Sequence, residues 1–122
     1  MNSHGIFEFH TCDTLRKELI EHKAKLLEIS GISEEQLDQS IYQITDQIIF
    51  TSEALIPFEF WLKGANLVRD TDMNDIAFLA LTGLLGAKLW TGDKELLKGL
   101  VKKGFRDFTT TEELYQLRIL LE

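Results

Sequence analysis

An α/β fold with a mainly parallel sheet flanked by helices is what this sequence of 122 residues predicts, and three observations predict it. Short β-prone runs alternate with segments of helical period. The helical segments carry their own start and stop residues. The stretch from Ile76 to Leu85 is apolar or small at almost every position, the mark of a helix buried on most sides.

Taken in order, Ile6, Phe7 and Phe9 form a β-prone run. The pattern then changes to Leu15, Leu19 and Leu26, with Asp13 or Thr14 placed to cap a helix. Gly31 can end that helix in a left-handed turn. Ser33 and Gln36 have capping-box spacing for the next, whose Leu37, Ile41 and Ile44 recur at helical intervals. Residues 48–50 read as a second strand, and Pro57 suits the first turn of a helix with Phe58, Trp61, Leu62 and Ala65 on its core face. Gly86 stops the apolar helix, residues 87–91 read as a buried parallel strand, and residues 94–103 as an amphipathic helix with Leu96, Leu97, Leu100 and Val101 inward. A last strand is expected over residues 105–108. Thr109 with Glu112, or Thr110 with Glu113, then caps a terminal helix.

The length fits one domain over residues 1–122. No apolar run approaches the roughly 18 residues that cross a bilayer, and the first residues lack the pattern of a signal peptide, so a cytoplasmic protein without membrane association is expected. A single cysteine, Cys12, excludes an internal disulfide and a thiolate metal cluster, which leaves a reduced, partly buried thiol. The net charge of −7 argues against nucleic-acid binding through a broad basic surface. Yet Lys88, Lys94, Lys98, Lys102, Lys103 and Arg106 crowd one part of the chain, which leaves open a local phosphate-facing strip beside the plainer reading of a solvated helix face. His10 and His22 have no partner at a metal-binding spacing. Nucleotide-binding glycine loops and a serine elbow are absent.

The most informative stretch runs from Asp70 to Asp93. A helix over residues 75–85 rises about 16 Å and a strand over residues 87–91 returns about 16 Å, so Asp75 and Asp93 are expected at the same edge of the sheet. Glu18, in the second turn of the first helix, can rise over that edge too. At about 5 Å and an effective dielectric near 20, each pair of ionised carboxylates repels by roughly 3 kcal/mol, which calls for a cation or a proton. Mg2+ or Mn2+ suits such an all-oxygen site. Asp70 and Asp72 read as loop or capping residues, with a supporting place open to Asp72.

At these residues the chain resembles the PIN-domain family, metal-dependent ribonucleases that include the toxins of many toxin–antitoxin pairs. The likeness is strongest from Asp70 to Leu97, where an acidic residue leads an apolar helix and a strand ends in T-G-D-K. It implies a three-layer fold, with Asp75 and Asp93 as catalytic and metal-site carboxylates. Thr91 matches the usual hydroxyl position, and the D-T-L-R-K-E-L-I-E-H segment puts Glu18 at a third acidic position. It also implies single-stranded RNA as substrate, with a homodimer and an antitoxin as partners. One departure stands out: no hydrophobic strand ending in Asp precedes Glu8, so the family's central first strand and its aspartate are expected to be missing. The resemblance is therefore compatible with an endoribonuclease or with an inactive interaction module of the same fold.

Overall fold

A computed structural model describes residues 7–71 and 73–121, which divide between Thr51 and Ser52 into two compact units. The first unit contains β1 (His10–Cys12), α1 (Thr14–Glu21), α2 (Lys23–Ser30), α3 (Glu34–Thr45) and β2 (Ile49–Thr51). β1 and β2 pair in parallel, with His10 opposite Ile49, Thr11 opposite Phe50 and Cys12 opposite Thr51. A parallel pair needs a long crossover, and three helices supply it. Thr11 and Cys12 are buried, as is Leu37 of α3.

Local signals in this unit act where the sequence puts them. Gly31 adopts the left-handed conformation at φ 69° and ends α2. Ser33 Oγ accepts from the Gln36 backbone N–H at 3.1 Å while Gln36 Oε1 accepts from the Ser33 N–H at 3.1 Å, which closes the capping box of α3. Two expectations shift. The first strand lies after the aromatic run, with Phe7 and Phe9 meeting edge to face at 6.2 Å ahead of it, and Ile6 lies outside the described residues. The single helix expected after Asp13 is two, because His22 leaves the helical well at φ −101°, ψ 10°. Asp13 heads α1 without a side-chain cap bond. Lys23 Nζ ties α2 to α3 through Glu34 at 2.9 Å and Asp38 at 3.0 Å. Glu34 first and then Asp38 hold its pKa above the ordinary value. The stabilisation is therefore present below the ordinary lysine pKa and lost as pH rises through the folded value.

The second unit begins with a short 3-10 turn (Glu53–Leu55) and α4 (Phe58–Val68). A second 3-10 turn (Met73–Asp75) leads into α5 (Ile76–Leu85), followed by β3 (Leu89–Trp90), α6 (Lys94–Lys102), β4 (Phe108–Thr109) and α7 (Thr111–Leu121). β3 and β4 pair in parallel, Leu89 opposite Phe108 and Trp90 opposite Thr109. The chain is thus a mixed helix and strand fold with short parallel sheets, the α/β class expected. Val68, Leu79, Leu96 and Leu100 form the core of this unit, with Leu67, Ile76, Leu89 and Phe105 packed against them. α5 buries Ala77, Leu79, Ala80, Leu81 and Thr82 and ends at Gly86 in the left-handed conformation, φ 62°.

Two inward faces differ from expectation. On α6 the buried residues are Leu96 and Leu100, whereas Val101 is 41% exposed. On α4 Phe58 is 77% and Leu62 52% exposed, and the buried positions are Gly64 and Val68. Glycine decides that face. A Cβ at Gly64 would stand 3.0 Å from the Ile76 carbonyl oxygen and 3.2 Å from the Ala80 backbone nitrogen, so α4 and α5 approach closely only because no side chain intervenes. Gly64→Ala is expected to destabilise the unit. Overpacking costs about 1–3 kcal/mol, and the better helix propensity of alanine returns about 1 kcal/mol of it. A lower urea midpoint with an unchanged slope checks this.

Candidate functional site

Asp93 is built into its place by three local hydrogen bonds. The strand β3 ends at Trp90, and the Thr91 N–H still donates to the Thr109 carbonyl at 3.3 Å, carrying the pairing one residue further. The Asp93 N–H donates to Thr91 Oγ1 at 3.1 Å, a turn that aims the aspartate at the start of α6. Asp93 Oδ1 then accepts from the Glu95 and Leu96 N–H groups at 3.0 and 3.1 Å. Both cap bonds use the same oxygen, and Oδ2 has no partner among the described residues. One carboxylate therefore fixes a helix terminus with one atom and presents the other. The exposed carboxylate also stands where the partial positive charge of the α6 N-terminus favours an anion.

Asp75 stands in the same unit, as the last residue of the 3-10 turn and the N-cap position of α5. Its side chain makes no cap bond to that helix, and the residue is half-buried. Both candidate aspartates of this unit thus head helices, as the sequence predicts. Thr91 supports Asp93 directly. Asp72 lies outside the described residues. Asp70, the other acidic residue of that loop, pairs with Lys103 Nζ at 3.2 Å, and the same ammonium donates to the Leu67 carbonyl at 2.9 Å, so its role is to tie α4 to the end of α6.

Glu18 belongs to the first unit, half-buried in the middle of α1. The histidine of that unit's first strand, His10, bonds Glu8 Oε1 through Nε2 at 2.6 Å. An open groove of about 880 Å³ on α3, lined by Glu34, Glu35, Asp38, Gln39, Tyr42 and Gln43, contains none of the candidate residues. Among the described residues no group of three or more His, Cys, Asp or Glu side chains is gathered to hold a metal ion. The side chains of Asp75, Asp93 and Glu18 are all carboxylates, the donor chemistry that suits a hard divalent cation. Trp90, at the end of a strand expected to be buried, is instead 44% exposed, and its indole Nε1–H donates to Thr111 Oγ1 at 3.0 Å. Its place at the end of an apolar strand made it look like core.

No helix among the described residues is long and apolar enough to cross a membrane. The model of one protein family, described as the PIN domain, matches residues 1–118, nearly the whole chain. Comparison with curated proteins and with solved structures finds no match. A match of that extent, over helices and short parallel strands in the order just described, makes this chain a member of the PIN-domain family, a nuclease-type domain whose members generally depend on a divalent metal.

Proposed function

We propose that the chain is an endoribonuclease of the toxin type, which hydrolyses phosphodiester bonds of single-stranded RNA with Mg2+ or Mn2+. The observation that carries this reading is Asp93, a carboxylate set by Thr91 and by two helix N–H groups with one oxygen left over. Asp93 and Asp75 would hold the ion, with Glu18 as the third carboxylate that the family likeness implies, and the ion would supply an activated water and neutralise charge on the scissile phosphate. Asp93 brings a fixed negative oxygen whose direction is set before substrate arrives, so little reorganisation is needed. Thr91 acts as a positioning residue, because its hydroxyl accepts from the Asp93 N–H. Incubation of the purified chain with single-stranded RNA and Mn2+ tests the reading. Cleavage that EDTA stops is the expected result, and intact RNA at all metal concentrations would overturn it.

An exposed apolar surface favours a second reading, a PIN domain that acts as an interaction module without catalysis. Exposed apolar side chains on α7 suit such a role, with Leu120 80% and Leu121 65% exposed beside Ile119. A second copy of the chain, giving a homodimer, or an antitoxin protein are the partners proposed for that surface, in a cytoplasmic setting. Light scattering at micromolar concentration separates the cases, with a dimer expected and a monomer counting against self-association.

A further inference from the structure

The ring of Trp90 and the basic face of α6 lie within a short reach of Asp93. Trp90 is three residues before Asp93, so their Cα atoms are at most about 11 Å apart even in a fully extended chain. The indole is held, since its N–H is bonded to Thr111 Oγ1 at the head of α7, yet nearly half its surface is open. An exposed aromatic ring fixed in orientation loses little freedom when something stacks on it.

Lys94, Lys98 and Lys102 follow at intervals of four residues and are all exposed, while Leu96 and Leu100 turn the opposite side of α6 into the core. Four residues of helix rise about 6 Å, so the three ammonium groups form a row roughly 12 Å long that starts one residue after Asp93. Glu95 is the acidic side chain placed against that row, 4.0 Å from Lys98, with both groups largely in solvent. Lys94 and Lys102 have no ion-pair partner among the described residues. Two other basic groups of this stretch are differently occupied. Lys103 is bonded to Leu67 and Asp70, and Arg106 donates to the carbonyls of Val101 and Phe105.

We infer that Trp90 and the row Lys94, Lys98 and Lys102 form a binding track for single-stranded RNA, with a base stacked on the indole and the phosphate backbone following α6. The inference deepens the nuclease reading and rests on it for the direction of the strand toward Asp93. A row of positive charge on a chain of net charge −7 is a local match to a polyanion. The stacking ring selects a nucleic acid with unpaired bases over a duplex, whose bases present no free face. A lipid surface is disfavoured because Leu96 and Leu100 of α6 face the core, which leaves Val101 as the one exposed large apolar side chain of that helix, too little to insert beneath the lysines.

Binding of a labelled single-stranded RNA, followed by fluorescence anisotropy in EDTA, tests this apart from cleavage. Trp90→Ala is expected to weaken binding about fivefold or more, and Trp90→Phe, which keeps a ring, to retain most of it. The triple change Lys94→Gln, Lys98→Gln and Lys102→Gln leaves the buried face untouched. It should flatten the salt dependence, removing about 2 from the slope of log K against log salt if each lysine meets one phosphate. Wild-type affinity in both Trp90→Ala and the triple variant would overturn the inference, as would a wild-type chain that binds anionic vesicles and not RNA. Because metal is absent, failure of cleavage in the aspartate variants leaves this binding in place, so the two readings fail separately.

Discussion

Asp93→Asn is expected to leave the fold intact and to lower metal-dependent RNA cleavage by about a hundredfold or more. Asparagine keeps the Oδ1 acceptor that the Glu95 and Leu96 N–H groups use, and it caps a helix as well as aspartate does. What it removes is the charge on the second oxygen, and with it the attraction for a divalent ion. Asp93→Ala removes both functions, so it should also lose about 1 kcal/mol of stability. Asp75→Asn should match Asp93→Asn in activity, since asparagine keeps the size and shape of the side chain and removes its charge. Thermal unfolding and single-turnover cleavage measured on the same samples separate the effects. Wild-type cleavage in both asparagine variants would remove these residues from the reaction.

The largest loss of stability is expected at Leu100. Its side chain is fully buried between α4, α5 and α6, in contact with the cluster of Val68, Leu79 and Leu96. Leu100→Ala deletes that burial and leaves a cavity, at a cost of about 2–5 kcal/mol. That is a large part of the total stability of most domains. Val101→Ala is the control. Its side chain is 41% exposed, so a change within about 0.5 kcal/mol is expected there. Denaturant titration of both variants decides whether the buried edge of α6 runs through Leu96 and Leu100 alone. Equal losses at the two positions would put Val101 back in the core.

Sequence and structure agree best where the determinant is local. Gly31 and Gly86 end their helices as expected, and both do so in the left-handed conformation, which no other residue adopts at so little cost. The Ser33 box and the Asp93 cap follow from side chains reaching two or three residues along the chain. Asp93 is legible in the sequence through the matching rises of helix and strand and through the family likeness, and the structure adds that it caps α6. Strand limits were less legible. The strand expected over residues 87–91 shortens to Leu89–Trp90, the two residues in register with β4, Leu89 opposite Phe108 and Trp90 opposite Thr109. The face of α4 was misjudged for a different cause. Large aromatic residues outweigh a glycine in any hydrophobic pattern, yet the close approach of two helices at Gly64 fixes which side turns inward and leaves Phe58 in solvent.

The acidic site was legible in part. Asp75 and Asp93 were placed at helix starts by sequence patterns, and both stand there. Glu18 rests on its place in the second turn of the first helix and on the family likeness, and it lies in the other compact unit, on a helix whose sequence carries no local mark of a ligand. Trp90 was missed because an apolar run reads as buried whether or not anything covers its last ring.

The central claim is that Asp75 and Asp93 hold a divalent ion, and titration calorimetry with Mn2+ tests it most directly. Saturable binding to the wild-type chain that is lost in Asp75→Asn and in Asp93→Asn is the predicted result. Isotherms that coincide for all three proteins, or the absence of binding by the wild-type chain, would contradict it.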